Sequence, residues 1–343
     1  MTKGDLLSPL AALYGAAIST RLSLYERGVL KVRKAGRPVL SIGNVAAGGT
    51  GKTPFLRWLA GGLLARGLRP SIVTRGYGRR SVGPVVVSDG AGTVANVRAS
   101  GDEALVLARA LPRVPILADA RRGRGARRLE ALCPDIALHL LDDGFSHVSL
   151  ARDLDIVLLD ATAPDAGGAL LPKGRLREPL TSLARADIIV VTKIEQADPA
   201  AALEIARIHA PGAPVYHART NVLGITDDRG ETVEPTFIYP GTAVAVAGLA
   251  RPEAFFATLA SLGIEPVTSL AFRDHHPYGD VAIGGILREA EEAGATAIVT
   301  TEKDAVKLEG RVSLPIFRVA IEMRILEKDF LSEVLARLKR QPS

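Results

Sequence analysis

Cysteine occurs once in the 343 residues, at Cys133. That single thiol excludes an internal disulfide framework and a cysteine-rich metal centre, and fits a reducing compartment; Cys133 itself reads as a small core residue. No apolar run approaches the roughly 18 uncharged residues that a membrane-crossing helix needs. The N-terminus also lacks the basic start, apolar centre and small-residue cleavage site of a secretory signal. The expectation is a protein that is neither secreted nor membrane-spanning. Repeats at solenoid periods and low-complexity tracts are missing as well. What is present is ample core material: 47% hydrophobic residues, enough for one large or two ordinary domains without staples.

The charge is unevenly spread. Nearly all of the net +6 sits in residues 1–37, where Lys3, Arg21, Arg27, Lys31, Arg33, Lys34 and Arg37 face only Asp5 and Glu26. Between Leu6 and Tyr25 apolar side chains, among them Leu10, Leu13, Tyr14, Ile18 and Leu22, cover most of a helix, with Ser8, Gly15, Ser19 and Ser23 as a narrow polar stripe. Ser8-Pro9 reads as its cap and first turn. Such a broad apolar face above a basic cluster fits a helix lying in the interface of an anionic membrane. It fits equally a helix packed on the domain beside a solvated charge run.

From Ala46 to Thr53 the chain carries the spacing of a phosphate-binding loop with Ala in first place: Ala46-Ala47-Gly48-Gly49-Thr50-Gly51-Lys52-Thr53. It follows the apolar stretch 38–42 and opens a helical pattern. Glycines let backbone N–H groups curl around an anion, the helix adds its N-terminal partial charge, Lys52 reaches the β- and γ-phosphates, and Thr53 can ligate Mg²⁺. A nucleoside triphosphate is therefore the expected ligand.

Short β-rich runs then alternate with helical patterns, which predicts an α/β fold with mostly parallel strands. Strands are expected at 39–42, 71–74, 85–88, 136–141, 155–159 and 187–192. A turn-rich stretch at 220–240 precedes a second alternation: strands at 243–247, 266–272 and 297–301, helices at 252–262 and 278–293. A last helix is expected at 327–338. Leu140-Leu141-Asp142-Asp143 ends an apolar strand with two carboxylates, where the Mg²⁺-holding acid of a P-loop protein belongs. His147 follows and reads as structural. Asp102 and Glu103 taken alone need no role beyond favouring a helix N-terminus. Arg177 lies in a basic loop able to neutralise phosphoryl charge, whereas the cluster Arg121, Arg122, Arg124, Arg127 and Arg128 reads as a solvated helix face. The loop Asp274-His275-His276 is short of partners for zinc and makes more sense as acid–base machinery.

Taken together, Gly43-Asn44 with the P-loop, Arg75-Gly76-Tyr77-Gly78, Gly101-Asp102-Glu103, Leu141-Asp142-Asp143-Gly144-Phe145-Ser146-His147, Leu176-Arg177-Glu178-Pro179, Asp274-His275-His276 and Thr301-Glu302-Lys303-Asp304 resemble the tetraacyldisaccharide 4′-kinases, the lipid A 4′-kinases. The resemblance spans nearly the whole chain, with Ser146 where the family usually has Gln and Ala104 where Pro is common. It implies a P-loop NTPase-like sheet with helices on both faces, a second smaller α/β domain joined by strands, and an N-terminal amphipathic helix on the cytoplasmic face of the inner membrane. The corresponding division is 1–37, 38–220, 221–322 and 323–343. It implies phosphorylation of the 4′ hydroxyl of a tetraacylated glucosamine disaccharide 1-phosphate by ATP and Mg²⁺, with no nucleic acid and no obligatory protein partner. Asp102 would be the base in a dyad with His275, Lys52 and Thr53 would serve phosphate and Mg²⁺, Asp142 and Asp143 the metal, and Arg177 a phosphate. The competing reading is a nucleotide-dependent switch at the membrane surface, because Thr192-Lys193-Ile194-Glu195 looks like a degenerate guanine-recognition motif.

Overall fold

The computed structural model describes residues 3–235, 238 and 241–340. The chain runs from α1 (Lys3–Glu26) through β1 (Val39–Gly43), α2 (Lys52–Leu64), β2 (Pro70–Thr74), β3 (Val85–Asp89), the single turn α3 (Val97–Ser100), α4 (Asp102–Ala110) and β4 (Pro115–Ala118). It continues with α5 (Arg122–Leu132), β5 (Leu138–Asp142), β6 (Leu154–Asp160), β7 (Ile188–Thr192), α6 (Ala200–His209) and the long β8 (Val215–Thr226). Then come β9 (Thr232–Val233), β10 (Ala243–Gly248), α7 (Pro252–Ser261), β11 (Thr268–Phe272), α8 (Asp280–Glu292), β12 (Ala297–Thr301), α9 (Glu302–Leu308), β13 (Ile316–Ile325) and α10 (Phe330–Arg340).

The strands join one sheet in the order β11-β10-β12-β13-β8-β7-β6-β1-β5-β2-β4-β3, with β9 added on β8. Pairing is parallel except at β3–β4, β8–β9 and β8–β13. Parallel strands of an α/β sheet have both faces covered, and β1, buried throughout, shows it. Leu40 and Ile42 join Phe55, Leu56 and Leu59 of α2 on one face, while Val39 joins Ala126 and Leu129 of α5 on the other. Full burial of each such side chain is worth about 1.5–3 kcal/mol.

Two lobes meet at β8. Val215–His217 pair with β7, and the strand from Ala218 to Thr226 pairs antiparallel with β13. The sequence-drawn edges at 220/221 and 322/323 therefore fall inside β8 and β13. Through β13 the chain returns to the first lobe, where Phe330 of α10 meets Phe55, Trp58 and Tyr216 with ring centroids 5.9, 5.5 and 4.9 Å apart.

Four strands differ from expectation: β4, β9 and β13 have no counterpart among the expected strands, and β8 runs over Val215–Thr226, so residues 220–226 are its second half and not the start of a turn-rich stretch. β8 changes neighbours midway, and its second half mixes Arg219, Asn221 and Gly224 with the exposed Val222 and Leu223, so no continuous apolar run marks it. Residues 236, 237, 239 and 240 of that stretch lie outside the described residues, as do 1, 2 and 341–343 at the termini of the chain. The helix start also differs: α1 begins at Lys3 with Pro9 inside it, so Ser8 is no cap. Instead the Ser8 hydroxyl accepts from Lys173 Nζ at 2.9 Å. Tyr14 Oη donates to the Arg177 carbonyl at 3.0 Å, and Gly15 faces Leu170. One side of α1 is thus docked on the first lobe, while Leu10 and Leu13 stay 53% and 69% exposed. Among the described residues no helix is long and apolar enough to cross a membrane.

Candidate active site

The P-loop leaves the carboxyl end of β1, at the sheet edge where α/β folds bind ligands. Gly43 is required there because a Cβ would sit 2.7 Å from the Phe145 backbone nitrogen. Buried Asn44 donates through Nδ2 to Thr50 Oγ1 at 3.1 Å, and Thr192 Oγ1 donates to the Thr50 carbonyl at 3.0 Å. The Ala47 N–H donates to the Arg175 carbonyl at 2.7 Å. Gly51 adopts φ +84°, and the reversal brings Lys52 and Thr53 into the first turn of α2, beside Ala46, Ala47, Gly48 and Gly49. A helix N-terminus behind a glycine loop attracts an anion by dipole and free N–H groups alike.

β5 lies beside β1 in parallel register and delivers the acidic pair. Asp142 accepts from Thr74 Oγ1 at 2.7 Å. Asp143, in the left-handed region at φ +52°, turns its carboxylate to Arg177 Nη1 at 2.6 Å and Lys52 Nζ at 3.5 Å. The two acids therefore behave differently. Burial and the neighbouring Asp143 push Asp142 above the usual carboxylate range, against the Thr74 hydrogen bond and the charges of Lys52 and Arg122. For Asp143 burial acts upward too, but Lys52 and Arg177 outweigh it and hold it low. A buried carboxylate raised by its neighbour is the environment a cation relieves. Oxygen donors this few, with Thr53 nearby, suit Mg²⁺, which keeps waters and phosphate oxygens as further ligands. Among the described residues no cluster of three or more His, Cys, Asp or Glu side chains able to hold a metal exists.

Arg122 overturns the reading of 121–128 as a solvated face. It is 3% exposed and donates to the carbonyls of Asp142 at 3.1 Å and Asp119 at 3.0 Å. Burial pulls it down to about 10. The cue lay in the small Gly123, Gly125 and Ala126, which let α5 approach the sheet and enclose the guanidinium. Arg124 pairs with the fully buried Asp119 at 2.6 Å. Arg127 and Arg128 are exposed.

Across the lobe boundary, Asp102 opens α4 and His275 follows β11. His275 Nδ1 lies 3.2 Å from Asp102 Oδ2. The other carboxylate oxygen accepts from the Glu103 N–H at 2.9 Å. Burial would raise Asp102, yet the His275 hydrogen bond and the charges of Lys307 and Lys303 prevail and hold it at about 2. His275 sits at φ +56°, with its ring 4.8 Å from that of Tyr77. Asp274 beside it is pinned by Lys303 at 2.9 Å. Glu103, 4.0 Å from His275 Nε2, is pushed up to about 7 by burial and then by Asp142, so the acidic pair and the Asp–His pair adjoin. His276 and His147 have local partners of their own. His276 lies against Phe272 and Tyr278, and its Nδ1 accepts from the Tyr278 N–H at 3.1 Å. His147 bonds Ser149 at 3.0 Å, with burial and then Arg122 and Arg21 pulling it down to about 4.

The guanine-recognition reading of 192–195 finds other partners for each side chain. Thr192 holds the P-loop, Lys193 pairs with Asp160 at 2.5 Å, and Glu195 accepts from the Thr220 N–H at 3.2 Å.

Residues 4–339 match the family model described as tetraacyldisaccharide-1-P 4′-kinase, LpxK. A tetraacyldisaccharide 4′-kinase of Chlorobium phaeovibrioides is 42% identical over 312 residues, 89% of this chain and 87% of the relative. One of Geobacter sulfurreducens is 39% identical over 342 residues, covering 98% and 93%. The crystal structure of LpxK from Aquifex aeolicus in complex with ATP superimposes with a TM-score of 0.81 at 31% identity, covering 98% of this chain and 99% of that one. The match to the family model and the relatives' shared length both extend over both lobes, and the chain belongs to the tetraacyldisaccharide-1-P 4′-kinase family.

Proposed function

We propose that this chain transfers the γ-phosphoryl group of ATP to the 4′ hydroxyl of a tetraacylated glucosamine disaccharide 1-phosphate, a late step of lipid A biosynthesis. The observation that supports the proposal is the contact between Asp102 and His275, 3.2 Å apart, a carboxylate and an imidazole drawn from the two lobes. A switch that only hydrolyses nucleotide has no need of it.

Phosphoryl transfer asks for positioning, charge neutralisation and a destination for one proton. The loop 46–53 would cradle the phosphates, and Lys52 and Arg177, paired with Asp143, would exchange that partner for the phosphoryl group when it arrives. Thr53, Asp142 and Asp143 would hold Mg²⁺, which when bound offsets the negative charge of the phosphates. As the bond from phosphorus to the sugar oxygen forms and the bond to the departing ADP breaks, the hydroxyl proton passes to the Asp102–His275 pair. Correlating phosphorus with sugar protons in the product by NMR tests the acceptor. Coupling of the new phosphate to H4′ is expected, and coupling to any other ring proton would contradict the assignment.

A lipid with four acyl chains does not leave a bilayer readily, since each buried methylene is worth about 0.8 kcal/mol. The exposed Leu10 and Leu13, with Val29 and Val32 among the basic residues 27–37, form the surface proposed to meet the cytoplasmic face of the inner membrane. Replacing both leucines, Leu10→Glu with Leu13→Glu, should release the protein from vesicles of anionic phospholipid in a flotation assay. Equal flotation of the variant and the unaltered chain would remove this role from α1.

A further inference from the structure

Lys307 lies on α9, 6% exposed, and its buried ammonium makes ion pairs but no hydrogen bond of good geometry. Nζ is 2.7 Å from Asp304 Oδ1 and 3.5 Å from Asp102 Oδ2, and lies 5.1 Å from the centre of the Tyr278 ring. Asp304 is fully buried and is itself fixed, because Oδ2 accepts from the Gly248 N–H at 2.8 Å and from Thr301 Oγ1 at 2.9 Å. Gly248 leaves no slack. A Cβ there would lie 2.8 Å from the Tyr278 hydroxyl and 2.9 Å from Asp304 Oδ1.

Asp304, Lys307, Gly248 and Tyr278 all belong to the second lobe, and Asp102 belongs to the first. One oxygen of Asp102 is thereby gripped twice from across the boundary, by His275 and by Lys307. The Glu103 N–H holds the first oxygen of Asp102 from its own helix at 2.9 Å, and the anchored cation of Lys307 adds a second attraction to the oxygen that faces His275. An ammonium withdrawn from water needs its anionic partners, so Lys307 also favours the arrangement in which the lobes are together.

We propose that Lys307, anchored by Asp304, is a positioning residue that holds Asp102 in register with His275 and ties assembly of that pair to docking of the second lobe. Neither Lys307 nor Asp304 touches the reacting atoms. Lys307 acts through Asp102, and the inference rests on the kinase reading above.

Activity and stability separate this role from a structural one. Lys307→Met keeps the side-chain volume but leaves Asp304 without its cation, so that variant is expected to melt at a lower temperature. The double variant Lys307→Met with Asp304→Asn removes both charges and should recover most of the melting temperature. Its kcat should nevertheless stay about tenfold or more below that of the unaltered enzyme, with KM for ATP within about twofold. The groups facing Lys307 are Asp102, Asp304, Tyr278 and His276, with His275, Lys303 and Glu103 around Asp102. Loss of the cation favours protonation of the Asp102–His275 pair, so the acid limb of the kcat profile should move to higher pH in Lys307→Met. In an Asp102→Asn background Lys307→Met should cost less than about twofold more. Recovery of kcat together with stability in the double variant, or a tenfold loss that persists in the Asp102→Asn background, would overturn the proposal. Undiminished turnover in Asp102→Asn itself would instead remove the dyad, so the two failures are distinguishable.

Discussion

His275→Ala and Asp102→Asn should each lower kcat by about 10²–10⁴ while ATP still binds, the range by which general acid–base groups contribute. Asp102, held at about 2 by His275, Lys307 and Lys303 against its burial, is ionised throughout the working pH range and is always ready to polarise the imidazole. Removing either member leaves the hydroxyl proton without a destination, but the P-loop, Lys52 and Thr53 are untouched. Nucleotide affinity, followed by fluorescence of a labelled ATP analogue or by calorimetry, should therefore stay within about threefold. Asp102→Asn also has a stability cost. A carboxyl whose folded value is depressed below its ordinary 3.8 contributes on the order of 2 kcal/mol above about pH 4, lost as pH falls toward 2. Kinetics of that variant belong at a temperature below its own melting transition. Turnover near the unaltered level in either variant would exclude the dyad.

Gly101→Ala should be among the most destabilising single methyl additions in the first lobe. Gly101 has φ +88° and ψ 159° and sits between α3 and α4, in a region of backbone space left almost entirely to glycine. Forcing another residue into it costs about 1–3 kcal/mol. The added Cβ would also run into the Tyr77 carbonyl oxygen, a backbone atom that cannot swing aside, and displacing it adds about 1–3 kcal/mol. Gly76 meets the same junction from the other side, since its own Cβ would lie 2.8 Å from the Ser100 carbonyl oxygen. Equilibrium unfolding in urea should therefore show a loss of roughly 3–5 kcal/mol through a lower midpoint at unchanged slope. Kinetic effects should follow, because Asp102 is the next residue. A loss under about 1 kcal/mol would mean that the loop at Tyr77 yields easily.

What was legible in the sequence divides by range along the chain. The P-loop and the acidic pair are local signals, with strand, loop and helix in register over a dozen residues. The Asp102–His275 pair is not local. Its members are 173 positions apart, and the bland reading of Asp102 and Glu103 as favourable charges on a helix N-terminus is also true, since α4 begins there. Only the family resemblance singled them out. Lys307 carries charge that tertiary packing alone encloses, and neither spacing nor composition marks it; for Arg122 the small Gly123, Gly125 and Ala126 are the one local cue. β13 is a different case. The alternation of Arg318, Glu322 and Arg324 with Val319, Ile321, Met323 and Ile325 is a period-two pattern readable in advance. β8 offers none of comparable clarity, because its two halves serve different neighbours.

The central claim is that one lobe presents the phosphoryl donor and both lobes together accept the proton of a lipid hydroxyl. Its most direct test is a single turnover of γ-labelled Mg-ATP on the full chain, mixed with tetraacylated glucosamine disaccharide 1-phosphate in detergent micelles and followed by rapid quench. The predicted result is label in the lipid fraction at the rate ATP disappears, with His275→Ala leaving the bound ATP largely intact. Label appearing as inorganic phosphate, at the same rate with and without lipid, would contradict it.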